Sequence, residues 1–516
     1  MSHSNGGSFF PAAHKNSIIM AEWCKEVEKR TKGARRGLAL IPSPIGTDHG
    51  TDLANLKSVR REKGKPGGIL IMAEDRRVYW NPLLETLPGE KLKELQFKKF
   101  KRIVSWAYDN SPFYRRLYRD AGIEPNDVRS FDDIRRVPKT DKGMLRQVQE
   151  NPPFPYGDIL SVPLEEVTEF RQTSGTTGVP VYQADTWQDW EWWAECWSYI
   201  LYAQGYRATD RVFIPFGYNI FVAFWAGHYG AEKIGCEVVP GGVLDTEARI
   251  LKMQELNCTA FMATPTYVLG MADTARKMGI DPASDLAIER ITCAGEPGAS
   301  IMTTKRRMEE AWGAKVYDHV GATEIGAWSY ECLAQPGGLH VNDAFFLVEI
   351  EDIETGEIIE EPGKSGKMVI TAFDRMAKPC IRFDSKDVIR WADRSCECGR
   401  TFRMIDGGVV GRVDDITKVK GVLLAPTAIE EVVSSIPEIG NDYQVTVTKK
   451  GDIDEILLEI EMQPGCEGKK EEVLPRLKDL LRLKVNLGFK ITVHPFGSVP
   501  RYEVKAKRFK DLRKDH

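Results

Sequence analysis

The sequence predicts an α/β fold in which a large multi-subdomain α/β N-terminal domain precedes a small α+β C-terminal domain. The chain has 516 residues, which is too long for one ordinary domain. Between residues 210 and 300, strand-like and helix-like segments alternate, as they do in βαβ units around a parallel sheet. Beyond residue 411, short mixed segments replace this alternation. These three observations indicate two domains of different class.

Apolar periodicity gives the order of the elements. An amphipathic pattern predicts a helix early in the large domain, strands and helices alternate in its middle, and turns separate strands toward its end. The helix-like segments are residues 92–108, 246–256, 267–278, 427–435 and 470–483, and the strand-like segments are residues 211–216, 259–263, 288–293, 345–372, 444–448 and 455–462.

Changes in composition divide the chain into three parts. Residues 1–75 form an N-terminal extension that begins Gly/Ser-rich, contains a helix-like segment at residues 20–32 and then becomes rich in Gly, Pro and Lys. Residues 76–410 form the large domain and residues 411–516 the C-terminal domain. For the extension, a partly ordered tail and a packed or oligomer-forming segment both stay open.

Charge and composition exclude several classes of function. A net charge of −4 and a pI near 6.2 argue against nucleic acid as the main partner, because phosphate backbones require basic surfaces. The sequence lacks an apolar run of about 18 residues, so we expect no membrane span, and its N-terminus lacks the layout of a secretory signal. Ten scattered cysteines fit a reducing cytoplasm better than a disulfide framework.

A loop rich in Ser, Thr and Gly is the first chemical signal. Glycines let a backbone curl around an anion, and hydroxyl and main-chain N–H groups then donate hydrogen bonds to phosphate oxygens. The loop lacks the lysine followed by Ser or Thr of a Walker A motif, and an ordinary polar turn is the alternative interpretation. The candidate phosphate-binding residues are Thr173, Ser174, Gly175, Thr176, Thr177 and Gly178.

Six motifs follow one another in the order found in acyl-CoA synthetases. They are residues 173–180, 294–298, 317–324, 382–387 and 411–415, and the segment 501–507 around Lys505. With the earlier stretches 79–88, 108–114 and 131–142, they resemble the phenylacetate–CoA ligase branch of the adenylate-forming superfamily. The resemblance implies a large adenylation domain with a small mobile lid. It also implies an AMP-forming ligase that joins an aromatic carboxylic acid to CoA, using ATP and Mg²⁺.

Adenylation brings two anions together, so its site needs a metal ion and cationic groups. By resemblance, Glu324 holds Mg²⁺ and the Thr323 hydroxyl donates a hydrogen bond to the α-phosphate. On the same basis, Lys505 stabilises the transition state of adenylation. An ammonium on a flexible stem reaches both the acid and the phosphate. A solvated turn carboxylate is the alternative for Glu324, and Lys507 is the alternative lysine in the same basic segment.

The same resemblance predicts which residues bind the adenosine moiety of ATP. An acidic residue and a proline pack along the adenine, a second acid lies at its edge, a third accepts hydrogen bonds from both ribose hydroxyls, and an arginine contacts the ribose or the phosphate. These candidates are Glu296, Pro297, Asp318, His319, Asp387 and Arg412. Asp384 is a second candidate for the ribose, and Lys386 stands where the family pattern has glycine.

The C-terminal lid of this family rotates between the two half-reactions, which is a hinge motion of known kind. The resemblance places the hinge in residues 411–415, with Asp414 as the hinge residue. Gly421 is the candidate for the close approach of the pantetheine of CoA, and a simple turn glycine is the alternative. Val504 stands where the family has a glycine before the lysine.

An apolar slot must select the tail of the acid. By resemblance, Phe216 and Phe221 fall on two aromatic wall positions, and core aromatics are the alternative interpretation. Further candidates to complete the slot are Trp225, Gly241, Gly242 and Ala294. A second aromatic group, Trp190, Trp193 and Trp197, shares one face at helical spacing, and we expect it in the core or in an oligomer interface.

Two closely spaced cysteines suggest a zinc site. Cys396 and Cys398 lie on a predicted turn, and some members of this branch carry such a pair with an upstream Cys and His, here Cys332 and His340. Three Cys and one His form a closed tetrahedral site, which is structural rather than catalytic. Reduced structural cysteines with a hydrogen-bonded histidine are the alternative.

The expected partners are an aromatic acid, ATP and CoA, with no nucleic acid and no membrane, and the branch favours a cytoplasmic homodimer. Phenylacetate-, indoleacetate- and benzoate-like acids all remain open. A stand-alone enzyme that loads the acid onto a carrier protein is the alternative function. A non-catalytic nucleotide- or acid-binding protein is a third hypothesis, against which Lys505 and Glu324 argue.

Overall fold

A computed structural model describes residues 78–173, 179–334, 337–413, 417–419, 422–424, 426–450, 453–501 and 508–515, all within one compact unit, Glu74–His516. Several sequence predictions lie outside the described residues. These are the N-terminal extension 1–75 with its helix, together with Ser174, Gly175, Thr176, Thr177, Gly178, Asp414, Gly421 and Lys505. The division of the chain into three parts stays a prediction.

An eight-stranded sheet forms the centre of the large region, in the order β14-β10-β9-β8-β7-β6-β4-β5. The strands β4 to β8 pair in parallel, as the alternating pattern predicted, and β8, β9, β10 and β14 pair antiparallel. Its strands are β4 (Arg211–Ile214), β5 (Glu237–Pro240), β6 (Ala260–Ala263), β7 (Arg290–Cys293), β8 (Lys315–Ala322), β9 (Gly326–Glu331), β10 (Gly338–Val341) and β14 (Met404–Asp406).

Two further sheets complete the large region. One has the order β1-β13-β12-β11, with β15 paired to β13, and the other is the β2–β3 ladder. The strands are β1 (Thr140–Asp141), β2 (Val167–Gln172), β3 (Tyr182–Thr186), β11 (Phe346–Glu351), β12 (Ser365–Ala372), β13 (Cys380–Arg390) and β15 (Gly411–Arg412). The turn-separated strands predicted for residues 345–372 are therefore confirmed.

The C-terminal region is α+β, as predicted. Its four-stranded sheet has the order β20-β19-β18-β21 and packs with two helices around its own apolar core, beside the β16–β17 pair. The elements are β16 (Thr417–Val419), β17 (Val422–Leu424), α11 (Pro426–Ser434), β18 (Ile439–Lys450), β19 (Ile453–Met462), α12 (Lys470–Val485), β20 (Lys490–His494) and β21 (Phe509–Asp511).

The described helices of the large region cover the sheets. They are α1 (Pro82–Glu85), α2 (Gly89–Asn110), α3 (Pro112–Asp120), α4 (Lys142–Val148), α5 (Trp187–Ala203), α6 (Ala223–Ile234), α7 (Thr246–Glu255), α8 (Pro265–Lys277), α9 (Pro282–Asp285) and α10 (Met302–Trp312). Each of the helical segments predicted outside the extension corresponds to one of the described helices. Within the described ranges, every helix is too short or too polar to cross a lipid bilayer.

The tryptophan-rich helix α5 belongs to the core. Trp190, Trp193 and Trp197 are each no more than 2% exposed and pack in the main apolar cluster. A polar N-cap starts this helix, because the Thr186 side chain accepts from the Asp189 N–H group and the Asp189 carboxylate accepts from Thr186. Of the two interpretations for this aromatic face, the core interpretation is confirmed.

Topology places the predicted motifs at one edge. Parallel strands β4, β6, β7 and β8 all end toward the same side, and the segments that follow them start at that side. Ligands of open α/β sheets bind in the crevice outside the carboxyl ends of the strands. The fold therefore brings residues 215–221, 294–298 and 323–324 toward a common crevice.

A buried ion pair connects these parts. The Arg375 guanidinium donates from Nε and Nη2 to the two oxygens of Asp185, at 2.9 and 3.0 Å, and both side chains are fully buried. Asp185 lies on β3, and Arg375 lies in the connection between β12 and β13. The pair ties two sheets together at the edge where the motifs converge.

Removing one partner of this pair should destabilise the protein strongly. We expect Asp185→Ala to lower the free energy of unfolding by about 3–5 kcal/mol, because it leaves a buried guanidinium without a counter-ion. Urea unfolding followed by tryptophan fluorescence measures the change. The control is Glu94→Ala, which breaks the exposed Lys91–Glu94 pair and should change stability by about 0.5 kcal/mol or less. Equal midpoints for the two variants would contradict the prediction.

Candidate active site

The residues after β8 form the centre of the candidate site. The Glu324 carboxylate is buried and forms an ion pair of 2.7 Å with Lys142 Nζ, whose side chain is 38% exposed. Lys142 opens α4, directly after β1. Sequence reasoning missed this lysine, although its segment, residues 131–142, carried part of the family resemblance.

The backbone of Thr323 is held by the buried ion pair. Arg375 Nη1 donates to the Thr323 carbonyl oxygen at 2.7 Å. A second buried cation, Lys378, donates to the Tyr182 carbonyl, and burial lowers the pKa of Lys378 to about 7, with the nearby Arg375 charge acting in the same direction. Three basic side chains, Lys142, Arg375 and Lys378, therefore lie near the Thr323–Glu324 segment, which suits an anionic ligand.

The ends of the predicted phosphate loop close on each other. The Thr173 N–H group donates to the Val181 carbonyl, and the Val181 N–H group donates to Thr173 Oγ1, both at 3.0 Å. From α4, Arg146 Nε donates to the Val179 carbonyl at 2.9 Å. The helix that begins with Lys142 therefore packs against one end of this loop.

Asp318 and His319 are buried on β8. The Asp318 carboxylate accepts from the Ser300 hydroxyl and from the His319 N–H group, and burial raises the pKa of Asp318 to about 7. The His319 ring packs 4.4 Å from the Trp197 ring and donates from Nδ1 to the Ser329 carbonyl. Burial lowers the pKa of His319 to about 4, so this ring is a neutral part of the core.

Glu296 and Pro297 lie against the start of α8. Glu296 Oε1 accepts from the Thr266 N–H group at 2.7 Å, in the first turn of that helix. A carboxylate at a helix N-terminus interacts favourably with the unpaired N–H groups and the helix dipole. The segment predicted to line the adenine is therefore fixed to a helix that starts at the same edge of the sheet.

Asp387 and Arg412 face each other across β13 and β15. Their backbones are paired in the ladder, and Arg412 Nη1 donates to Asp387 Oδ1 at 2.9 Å. Asp384 instead forms two ion pairs of 2.9 Å, with Lys367 and Lys386. Burial acts to raise the pKa of Asp384, but these two lysines outweigh it and leave the pKa lowered.

Lys386, which stands where the family pattern has glycine, has a left-handed backbone conformation. Its φ angle is +65°, in the left-handed region that favours glycine. Its ammonium meanwhile pairs with Asp384 at 2.9 Å. Lysine therefore occupies a position before Asp387, within β13, whose backbone conformation favours glycine.

The candidate acid slot contains an aromatic pair that the sequence did not indicate fully. The Phe216 ring stacks on Phe224 with centroids 4.3 Å apart and planes within 6°, and Tyr267 lies 5.4 Å away. The predicted second wall residue, Phe221, is half-buried. Trp225 Nε1 donates to the Asn219 carbonyl. Phe224 lies eight residues after Phe216, in the first turn of α6. Its pairing with Phe216 could be predicted only if the start of that helix were known.

Two glycines allow close packing beside Phe216. A Cβ on Gly242 would lie 2.7 Å from the Phe216 carbonyl oxygen, and a Cβ on Gly241 would lie 2.2 Å from the Phe213 ring. The carbonyl oxygens of Gly241 and Gly242 both accept hydrogen bonds from the buried Arg249 guanidinium, at 3.1 Å each. The structure therefore brings Phe216, Gly241 and Gly242 together, and Ala294 is buried directly after β7, which is two strands from β4 in the sheet.

The four predicted zinc ligands also lie together. The ligand atoms of Cys332, His340, Cys396 and Cys398 all lie within 4.8 Å of one another. Cys332 Sγ is 3.5 Å from Cys396 Sγ, and Cys398 Sγ is 3.4 Å from His340 Nε2. Tetrahedral zinc with Zn–S bonds of about 2.3 Å separates its ligands by about 3.5–3.8 Å, so the donor set and spacing fit this metal. His340 Nδ1 donates to the Phe402 carbonyl, which directs Nε2 toward the thiols.

The raised pKa of Asp318 predicts a pH dependence of stability. Folding holds a proton on Asp318 up to about pH 7, whereas the ordinary value is 3.8. Between these values the folded state binds more protons than the unfolded state, so this residue lowers the free energy of unfolding as pH rises. We expect Asp318→Asn to gain stability relative to the natural chain from about pH 4 to about pH 7. Urea midpoints across this range measure it.

His319 has the opposite pH dependence but is present in both proteins, so it cancels in the difference. Asp120→Asn, at an exposed position, is the control and should show a constant difference. A stability difference between Asp318→Asn and the natural chain that does not change with pH would refute the assignment.

Comparison with known proteins places these features in one family. Residues 421–513 match a family model described as the AMP-binding enzyme C-terminal domain. The chain has a TM-score of 0.81 to the 2-hydroxyisobutyryl-CoA ligase in the postadenylation state in complex with 2-HIB-AMP, at 26% identity, covering 86% of this chain and 94% of that one.

The arrangement of the parts matches one state of that enzyme better than another. Against its structure with 2-HIB-AMP and CoA in the thioesterification state, the TM-score is 0.65, at 27% identity and the same coverage of 86% and 94%. Both structures are of one enzyme, and this chain is more similar to its postadenylation structure than to its thioesterification structure.

A curated relative covers almost the whole described chain. The phenylacetate–coenzyme A ligase of Thermus thermophilus is 35% identical over 456 residues, which are 84% of this chain and 100% of the relative. The motifs, the sheet edge and the C-terminal region all agree with this match, and the chain belongs to the phenylacetate–CoA ligase family of AMP-forming acid–thiol ligases.

Proposed function

We propose that this chain activates an aromatic carboxylic acid with ATP and transfers the acyl group to CoA. In the first step, the acid carboxylate attacks the α-phosphorus of ATP, an acyl-adenylate forms and pyrophosphate leaves. In the second, the CoA thiol attacks the acyl carbon, and AMP leaves. The observation that carries the proposal is that the Phe216–Phe224 pair and the Glu324–Lys142 ion pair follow strands β4 and β8, which end at the same edge of one sheet. Phenylacetate-, indoleacetate- and benzoate-like acids fit an aromatic slot of this kind.

Glu324 and Thr323 are the proposed phosphate-side residues. A hard carboxylate oxygen suits Mg²⁺, which when bound neutralises phosphate charge. The Thr323 hydroxyl donates to the α-phosphate, and Arg375 supports this role by fixing the Thr323 backbone. We further propose that Lys142, the ion-pair partner of Glu324, becomes available to the phosphates when Glu324 binds metal. Residues 173–178 complete the cradle.

The adenosine contacts follow the same logic. Asp387 and Arg412 form the proposed ribose pair, because Asp384 is already held by two lysines. Asp318 marks the edge of the adenine, with the backbone of His319 beside it. Glu296 and Pro297 line its face from a segment fixed to α8.

The second half-reaction requires the lysine to leave and the thiol to enter. We assign Lys505 to the adenylation step, Asp414 to the hinge and Gly421 to the approach of pantetheine. Matching of residues 421–513 to an AMP-binding C-terminal domain supports a moving region of this kind. Phe221 and Trp225 are assigned to the rim of the acid slot, beside Gly241, Gly242 and Ala294.

Zinc is the proposed structural metal. Cys332, His340, Cys396 and Cys398 provide a closed set of four ligands, which leaves no open position for catalysis. The site would fasten the end of β9 to the turn before β14. We also propose a cytoplasmic homodimer. The described cysteines are all free thiols, which fits a reducing compartment.

The direct test of the function is acid-dependent exchange between pyrophosphate and ATP, together with CoA-dependent AMP formation, over a panel of aromatic acids. We expect at least one aromatic acid to support both reactions and a carrier protein not to replace CoA. If no acid supports exchange, the proposed function is wrong. Transfer to a carrier but not to CoA would favour the alternative function.

Lys505→Ala should lower the exchange rate by about 10²–10³-fold, because it removes a charge aimed at the transition state. Thioester formation from preformed acyl-adenylate should be retained. Lys507→Ala is the matched control and should exchange at close to the natural rate. If the two variants behave in the opposite way, Lys507 is the catalytic lysine.

Metal analysis tests the zinc proposal. We expect about one zinc per chain in the purified protein, and Cys398→Ser should lower both the zinc content and the unfolding temperature, because structural zinc contributes directly to folding. Cys466→Ser, which lies outside the cluster, is the control and should retain the metal. A natural chain without zinc, with stability equal to that of Cys398→Ser, would refute the proposal.

A further inference from the structure

The C-terminal region contacts the large region through polar groups. Thr303 and Ser434 exchange a hydrogen bond of 2.6 Å between their hydroxyls, and Arg307 donates to Asn441 Oδ1. Polar contacts of this kind are typical of domain interfaces that rearrange. The interface between the two regions is therefore of a kind that can rearrange.

Arg508 forms several contacts in this interface. Its Nη1 lies 3.0 Å from both oxygens of Glu430, and its guanidinium lies 4.9 Å from the Tyr443 ring. Nη2 donates to the Asn441 carbonyl at 3.2 Å. An arginine that is held by a carboxylate, a carbonyl and an aromatic ring has little remaining freedom, so the second N–H group of Nη2 has a fixed direction.

That donor crosses to the large region. Arg508 Nη2 donates to Thr266 Oγ1 at 3.2 Å, while the Thr266 N–H group donates to Glu296. Thr266 thus binds the C-terminal region through its hydroxyl and the adenine-lining segment through its backbone. Both groups sit in the first turn of α8.

Chain connectivity links this contact to the catalytic lysine. Lys505 precedes Arg508 by three residues, so their Cα atoms lie within about 11 Å of each other in any conformation. The contact of Arg508 with Thr266 therefore acts on the segment that carries Lys505 in the sequence, and it lies beside the segment proposed to line the adenine. Without this contact, one fewer hydrogen bond holds the C-terminal region in this arrangement.

We propose that Arg508 is a positioning residue for adenylation, which docks the C-terminal region on Thr266 in the arrangement that the first half-reaction uses. This inference rests on the proposed function. The second half-reaction, for which the lysine must leave, does not need the contact. Arg508 therefore affects the two half-reactions unequally.

The test measures both half-reactions in Arg508→Gln. Loss of a hydrogen bond from a charged donor should lower acid-dependent pyrophosphate exchange roughly 10–100-fold. Release of AMP from preformed acyl-adenylate with CoA should stay within about twofold. A purely structural role would lower both rates by the same factor, and that result would overturn the inference.

Thr266→Val tests the same contact from the other side and keeps the backbone N–H group for Glu296. It should lower the rate of pyrophosphate exchange by roughly tenfold or less. The double variant with Arg508→Gln should lose little more, because both changes remove the same hydrogen bond. Full additivity of the two changes would count against a shared contact.

Arg513→Gln is the matched control, because Arg513 pairs with Asp454 and Asp511 inside the C-terminal region. It should leave the ratio of the half-reactions unchanged. If the natural chain shows no exchange with any acid, the proposed function fails. If Lys505→Ala blocks exchange but Arg508→Gln behaves like Arg513→Gln, only this inference fails.

Discussion

The buried Arg375–Asp185 ion pair is the constraint on which the candidate site depends. Its guanidinium has no contact with solvent, so its charge requires the carboxylate beside it. A third donor of the same group fixes the Thr323 carbonyl. At the start of α5, Asp189 accepts from the Met376 N–H group and holds the same connection from the other side. Three segments that are distant in the sequence, around residues 185–189, 323 and 375–376, are therefore held together by the protein's own hydrogen bonds.

Electrostatics at the sheet edge explain why this geometry suits anions. Lys142, Lys378 and Arg375 converge near Glu324, and Lys378 is buried deeply enough to lower its pKa to about 7. A protein keeps such groups close together at a cost in desolvation and repulsion. An ion pair between Glu324 and a half-exposed lysine relieves part of that cost, and it exchanges more easily than a fully buried pair. Preorganised charge of this kind acts most strongly on a transition state.

The sequence predicted elements and motifs well, but not the contacts between them. Parallel strands such as β6 follow from local pattern, because apolar runs and helical spacing are properties of neighbouring residues. Phe224 was missed, because stacking on Phe216 depends on where α6 begins. Lys386 shows the reverse case. Propensity argued against a left-handed lysine, yet its ion pair and the surrounding ladder maintain that conformation.

The contacts within the large region differ in kind from those that join it to the C-terminal region. Within the large region, strands are joined by the cluster of Cys332, His340, Cys396 and Cys398 and by the apolar core. The described hydrogen bonds between the large and C-terminal regions include Thr303–Ser434, Arg307–Asn441, Asn441–Asp273, Thr427–Val410 and Arg508–Thr266. An apolar interface would hold one arrangement too firmly, because a change of only about 5.5 kcal/mol separates a 1:99 from a 99:1 population. Directional, exchangeable hydrogen bonds would let the region both dock and be released, as the proposed reaction in two steps at one site requires.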